Sequence, residues 1–240
     1  MEWRDEGLVI GLKRLGESSC VLEAMTRAHG RHLGLVRGAR SSRLAAALQP
    51  GNTVGLVWRA RLDEHLGAYA VEPLALRAGR FLPSAMALAG INLIGALLRL
   101  LPERDPHEDL FDALNEVVEA LDDADKAPAL LARFEARMLW ECGFALDLSQ
   151  CAATGARTDL IYVSPKSGRA VSAVAGAAYR ERLLPLPAFL RDETAAASFE
   201  EIADAFRLTG YFLQRELFGP RGLKLPEARE SLLNAMRKRR

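Results

Sequence analysis

Hydrophobic periodicity changes near Phe81, and this change constrains the fold more than any other feature of the sequence. Before Phe81, apolar residues tend to alternate with polar ones, most clearly over residues 53–62. After it, they recur about every 3.6 residues. The first pattern is typical of strands with one buried face and the second of amphipathic helices. We therefore predict an α+β protein with a β-rich domain over residues 1–80 and an α-helical bundle domain over residues 81–240.

The β-rich segment contains five apolar runs of strand length. They are Gly7–Arg14, Cys20–Thr26, His32–Arg37, Thr53–Leu62 and Leu66–Val71. A short helical pattern over Ser41–Leu48 separates the third run from the fourth. Five short strands with a helix after the third predict an OB-fold barrel, and a small SH3-like barrel would give a similar pattern. In the fourth run, one face is predicted to point into the barrel. That face carries Val54, Leu56, Trp58, Ala60 and Leu62.

The helical segment is punctuated by helix-start signals at Pro83-Ser84, Asp105-Pro106, Pro128 and a capping box at Ser198–Glu201. The pattern is interrupted over residues 148–176, where a knuckle-like turn at Cys151 precedes a short strand and another turn. A zinc ribbon needs four ligands, commonly two Cys-x-x-Cys pairs. Only one cysteine lies here, so we predict a degenerate zinc-knuckle-like insert without a metal.

The net charge of +1 conceals an uneven distribution along the chain. Residues 1–80 contain 12 Lys or Arg and 8 Asp or Glu, residues 81–220 contain 13 and 21, and residues 221–240 contain 7 and 2. A basic head and tail therefore flank an acidic body, a pattern that bears on binding partners rather than on fold.

The basic residues of the head are mostly arginines, whose planar guanidinium group suits phosphate oxygens. The segment Val36–Arg43 is the densest and carries Arg37, Arg40 and Arg43. We predict a DNA-binding role for the following eight residues: Arg14, Arg27, Arg31, Arg37, Arg40, Arg43, Arg59 and Arg61. Aromatic residues are few in the head, so binding through the sugar–phosphate backbone is expected rather than base stacking.

No signature of catalysis or of a cofactor was found in the sequence. Lys166-Ser167 lacks the upstream glycine loop of a nucleotide-binding motif, and neither Cys142 nor Cys151 has a histidine base placed by a known motif. We predict a protein that is not an enzyme and that uses no metal or cofactor. Three cysteines, a charged N-terminus and a longest apolar run of 14 residues predict a cytoplasmic protein outside the membrane, and the family resemblance described next adds association with the nucleoid.

Several short motifs resemble those of the RecO family of DNA repair and recombination mediators. In the head they are Gly16-Glu17-Ser18-Ser19, Thr26–Gly30 and Val36–Arg40, and in the insert they are Cys151–Gly155 and Ser164–Gly168. The resemblance covers nearly the whole chain, and the order of the motifs is more specific than any one of them.

The resemblance implies an N-terminal OB-fold whose basic residues bind single- and double-stranded DNA. It implies strand annealing without a nucleotide, and cooperation with a RecR-type protein and single-strand binding protein in loading a recombinase. Many members bind zinc through four cysteines. Here Thr154 replaces the second, and Ser172 and Ala175 lie near the expected second pair. The alternative function is a protein-interaction adaptor whose OB-like barrel binds a protein partner and whose arginines are solvated.

Overall fold

The computed structural model describes residues 1–192 and 194–239. Its N-terminal strands form a closed barrel in the order β1-β2-β3-β5-β4, with β4 paired back onto β1. The strands are β1 (Glu2–Leu15), β2 (Ser19–Thr26), β3 (Gly30–Val36), β4 (Thr53–Arg59) and β5 (Ala68–Ala75). Helix α1 (Ser42–Ala47) lies between β3 and β4. This order, with a helix after β3, is that of the OB fold and confirms the predicted architecture.

Strand β1 is longer than its apolar pattern indicated and begins at Glu2 instead of Gly7. Its first half pairs with β4, from Glu2 opposite Arg59 onwards, and its second half pairs with β2 as far as Leu15 opposite Ser19. A strand that changes neighbours halfway presents no single buried face, so alternation alone could not locate its start.

The inward face of β4 was predicted correctly for the length of the strand. Val54, Leu56 and Trp58 are at most 2% exposed, and they pack in the barrel core. The prediction for Leu62 was wrong, because β4 ends at Arg59 and Leu62 is 46% exposed in the connection to β5.

The buried side chain of Asn52 ties α1 to the start of the helical segment. Its amide nitrogen donates to the carbonyls of Ala46 and Ala47 at 2.8 and 3.2 Å. Its amide oxygen accepts from the backbone N–H groups of Arg77 and Ala78, each at 2.8 Å. A buried amide with its hydrogen bonds filled fixes these segments relative to each other.

Three helices follow the barrel closely. They are α2 (Ala78–Phe81), α3 (Ala85–Leu98) and α4 (Glu108–Glu119). Ser84 caps α3 by accepting a hydrogen bond from the N–H of Ala87 at 3.1 Å, as its position predicted. The cap of α4 is His107 and not Asp105. At the end of α3, the Arg99 side chain donates to the Glu23 carboxylate at 2.8 Å and to the carbonyl of Ile10.

The connection between α3 and α4 runs along the start of β3. The N–H of Arg104 donates to the carbonyl of Arg31 at 2.9 Å. Gly30 has a φ of +63°, and a Cβ on it would lie 1.9 Å from the carbonyl oxygen of Asp105. Glycine is therefore required at this position for two reasons, its backbone conformation and the close approach of the neighbouring chain.

The remaining helical segment contains α5 (Ala127–Glu141), α6 (Ala173–Gly176) and α7 (Phe199–Phe212). A three-stranded sheet accompanies them in the order β7-β6-β8, with β6 at Leu160–Val163, β7 at Ala170–Ser172 and β8 at Leu184–Pro185. Helices α5 and α7 contact each other, and Ser198 and Glu201 form the predicted capping box at the start of α7.

The chain divides into two compact units. The first unit comprises residues 1–124 and the C-terminal stretch from Ala228, which contains most of α8 (Glu227–Lys238). The second comprises residues 125–227 and contains the knuckle-like insert. Arg240 of the basic tail lies outside the described residues. Among the helices that the structure describes, none is long and apolar enough to cross a bilayer.

Candidate nucleic-acid interface

Three of the eight predicted arginines are held in ion pairs. Arg27 pairs with Glu6 and with Asp112 of α4, each at 2.8 Å, and lies 4.8 Å from the centre of the Phe111 ring. The others are Arg31, which pairs with Glu23 and Glu103, and Arg59, which pairs with Glu2. Arg31 and Glu23 are mostly buried, with 13% and 14% of their side chains exposed. Arg27 and Arg31 therefore connect the barrel to the segment from α3 to α4.

Four of the predicted arginines are exposed and make no ion pair within residues 1–192 and 194–239. They are Arg14, Arg37, Arg43 and Arg61. Arg40 is also exposed, and its side chain donates only to the carbonyl of Glu17, at 3.2 Å. Because a guanidinium without a carboxylate partner keeps its donors available, these five side chains are the ones suited to bind phosphate.

The structure brings four of these arginines to one end of the barrel, in or beside two of its loops. The β1–β2 turn and the segment between β3 and α1 lie side by side, since the N–H of Ala39 donates to the carbonyl of Ser18 at 2.8 Å. Arg14 and Arg40 line the same pocket there. Arg37 and Arg43 flank Arg40 in the sequence on the β3–α1 side. We call Arg14, Arg37, Arg40 and Arg43 the basic end.

Arg61 lies elsewhere, in the connection between β4 and β5 (residues 60–67). Two hydrogen bonds from the barrel anchor that connection. The N–H of Leu35 donates to the carbonyl of Gly67 at 3.0 Å. The indole N–H of Trp58 donates to the carbonyl of Leu66. Arg104 also anchors it, by donating to the carbonyls of Asp63 and, at 2.8 Å, His65. Sequence reasoning missed Arg104 because neither its neighbours nor its spacing indicates a contact 40 residues away.

The aromatic residues of the barrel pack on one another instead of forming an open stacking surface. Trp3 stacks on His29 with ring centres 4.0 Å apart and on Trp58 at 5.6 Å. Tyr69 Oη and His32 Nδ1 are hydrogen-bonded at 2.8 Å. Burial, assisted by the positive charge of Arg104, lowers the pKa of His32 to about 4, and burial raises the pKa of Tyr69. Both side chains are therefore neutral near pH 7.

The knuckle-like insert does not have the donors of a zinc site. Cys151 is 1% exposed, and its sulfur accepts a hydrogen bond from the N–H of Ser172 at 3.3 Å. Hydrogen bonds from Thr154 and Ser172 lower the pKa of Cys151 to about 6. Within the described residues, no three His, Cys, Asp or Glu side chains are grouped to hold a metal. One sulfur with two hydroxyl neighbours does not supply the nitrogen and sulfur ligands of structural zinc.

Packing supports the insert. Leu160 and Val171 are 4% and 8% exposed, and Tyr162 lies opposite Val171 in the pairing of β6 with β7. The turn before β7 places Gly168 at a φ of +69°. The hydrogen bond from the Ser172 N–H to the Cys151 sulfur joins the knuckle to β7.

The fold and the arginines at its end define an OB-fold protein with an appended helical segment. The chain matches the family models described as the N terminal of recombination protein O, over residues 1–76, and the C terminal of recombination protein O, over residues 84–224. The chain therefore belongs to the RecO family.

Curated relatives named "DNA repair protein RecO" match over nearly their full length. The protein of Methylocella silvestris is 60% identical over 241 residues, covering 100% of this chain and 97% of the relative. That of Beijerinckia indica is 59% identical over 235 residues, covering 97% and 94%. That of Mesorhizobium japonicum is 56% identical over 239 residues, covering 99% and 94%.

Proposed function

We propose that this protein binds DNA and acts in recombinational DNA repair, with the basic end of the barrel as its principal contact to phosphates. The observation that carries the proposal is the division of the arginines into paired and unpaired sets. Phosphate contact is assigned to the basic end and to Arg61. Arg27, Arg31 and Arg59 are assigned a supporting role, because their guanidinium groups already face carboxylates.

The proposed activity is annealing of complementary strands without enzymatic chemistry. Two strands repel each other through their phosphates, and cations at one surface lower that repulsion while releasing counterions. Oligonucleotide-binding OB folds use the β1–β2 and β4–β5 loops, which here carry or adjoin the basic end and Arg61. The relatives' names support a role in DNA repair.

The proposed partners follow from the family resemblance and from the charge distribution. They are single- and double-stranded DNA, a RecR-type protein and single-strand binding protein, and the outcome of their cooperation is loading of a recombinase. We place the protein in the cytoplasm with the nucleoid. The acidic body, with 21 Asp or Glu against 13 Lys or Arg over residues 81–220, is suited to protein partners more than to DNA.

A protein-interaction adaptor is the second candidate function. It is favoured by Leu74 and Leu76, which are 56% and 58% exposed at and just beyond the end of β5. Exposed leucines close together are a common feature of protein-binding surfaces. In this function the arginines are solvated, and a complex with a protein partner survives salt concentrations that abolish DNA binding.

The test of the proposed function is an annealing assay with two labelled complementary oligonucleotides, run with and without single-strand binding protein. We expect faster annealing than the spontaneous rate in both conditions. No acceleration in either condition overturns the annealing activity. Salt-independent binding, or no binding, to an oligonucleotide in a parallel titration overturns the DNA-binding role as well and favours the adaptor.

A further inference from the structure

A pocket of about 470 Å³ opens at the basic end, between the β1–β2 turn, the segment before α1 and α1 itself. Its volume lies in the range of sites that hold small organic groups. Its lining includes Leu12, Arg14, Cys20, Arg40, Ala45 and Leu48. All of its lining residues lie between positions 12 and 49, so the pocket is a feature of the OB domain.

The inner part of the pocket is apolar. Leu48 and Cys20 are 2% and 5% exposed, and the methyl groups of Ala39 and Ala45 lie among the lining. Leu12 is paired with Leu22, which is fully buried, so the two side chains project to the same face of the barrel. Leu12 is nevertheless 42% exposed. Leu12 lines the pocket, and the open space of the pocket leaves its side chain partly exposed.

The rim of the pocket carries two cations and one carboxylate and can form hydrogen bonds. Arg14 and Arg40 both line it, and the bond from Arg40 to the carbonyl of Glu17 holds the Arg40 guanidinium beside the β1–β2 turn. The carboxylate of Glu17 and the amide of Gln49 supply acceptors and donors at the same rim. An apolar floor below two cations is complementary to a nucleotide, which has a flat apolar base beside an anionic phosphate.

We propose that this pocket receives one unstacked base of single-stranded DNA, while Arg14 and Arg40 hold the adjoining phosphates. A base in a duplex must be unpaired and unstacked before it can enter, whereas a single strand presents its bases freely. This inference rests on the proposed function and adds a preference for single strands over duplexes. It also provides a contact to a base in a barrel whose own aromatic residues are packed together.

The experiment fills the pocket without changing any charge. Ala45→Trp places an indole in the pocket, and Ala46→Trp is the matched control, because Ala46 is exposed on α1 and does not line the pocket. Binding to oligo-dT and to a duplex of equal length is measured by fluorescence anisotropy. We expect Ala45→Trp to weaken oligo-dT binding roughly tenfold, the range expected when one mainly apolar group is excluded from a buried site. Its salt slope and duplex binding should equal those of Ala46→Trp.

A second measurement uses the unaltered protein and an oligonucleotide of the same length composed of abasic residues. The wild-type protein should bind it more weakly than oligo-dT, and Ala45→Trp should show a smaller difference between the two. Equal affinity of the wild-type protein for the abasic oligonucleotide and for oligo-dT overturns the proposal that the pocket receives a base. Equal oligo-dT affinities of Ala45→Trp and Ala46→Trp overturn it as well. In either case salt-dependent DNA binding persists and the proposed function stands. Absence of salt-dependent binding in the wild type overturns the proposed function itself.

Discussion

Removing two arginines of the basic end should change how DNA binding depends on salt. The double variant Arg37→Ala, Arg40→Ala takes away two exposed guanidinium groups whose side chains meet no carboxylate in the described part of the chain. Each phosphate neutralised on a single strand contributes about 0.7 to the slope of log affinity against log salt. The four arginines of the basic end together with Arg61 therefore give a slope of roughly 3.5, and loss of two lowers it by about 1.4.

These slopes convert into affinities that are easily distinguished. Between 50 and 200 mM salt, the wild-type protein should lose roughly 130-fold in affinity and the double variant only about 18-fold. Fluorescence anisotropy of labelled oligo-dT over this range measures both. Thermal unfolding should be nearly unchanged, because both side chains are exposed and substitutions on an exposed surface rarely alter stability much.

The matched control is Arg59→Ala. Arg59 is also exposed, at 61% of its side chain, but it donates to the Glu2 carboxylate at 2.8 Å. Removing it should leave the salt slope unchanged, since its charge is already neutralised locally. If Arg59→Ala lowers the slope as much as the double variant, or if the double variant keeps the wild-type slope, the assignment of phosphate contacts to the basic end is refuted.

Four further outcomes are expected. Burial lowers the pKa of His32 to about 4 in the folded protein, against 6.5 in the unfolded chain. As the pH falls below 6.5, the unfolded chain takes up the proton first, and the folded state therefore loses stability. The free energy of unfolding, measured with urea, should fall by about 2 kcal/mol between pH 7 and pH 5. His32→Gln should make this fall smaller. Gly30→Ala should destabilise more than Gly38→Ala in the same assay, because both have positive φ but only Gly30 faces a carbonyl, and equal losses would contradict this. Arg104→Ala should accelerate hydrogen exchange over residues 60–67, and unchanged exchange would remove its anchoring role. Metal analysis should find no stoichiometric zinc, and one zinc per chain would overturn the account of Cys151.

The elements that local sequence determines were predicted well. The alternation over β4 and the cap of α3 at Ser84 depend on residues within a few positions of each other. The order of five strands along the chain, with a helix after the third, was predicted from apolar runs and the turn signals between them. The start of β1 was missed because the first half of that strand pairs with β4 and its second half pairs with β2. This change of partner is a property of the closed barrel and is not encoded in the strand's own residues.

The candidate site was predicted in residue type but not in arrangement. Arginine content identified eight residues, and only their long-range partners separate them into two groups. Arg27 meets Asp112, and Arg31 meets Glu103, across more than 70 positions. The pocket at the basic end requires the β1–β2 turn and α1 to come together, which no motif encodes. Which arginines bind DNA stays a prediction.

The segment at the start of β3 has a consequence for how the protein is made. The edge of β3 at Gly30 is covered by the backbone around Asp105, which lies 30 residues beyond the end of β5 at Ala75. A ribosome adding 5–20 residues per second needs about 2 to 6 s to synthesise that stretch. During that interval all five strands exist while this edge is uncovered. The barrel is thus completed only after α3 has been synthesised. A fragment ending near residue 80 would lack the backbone around Asp105 that covers the edge of β3.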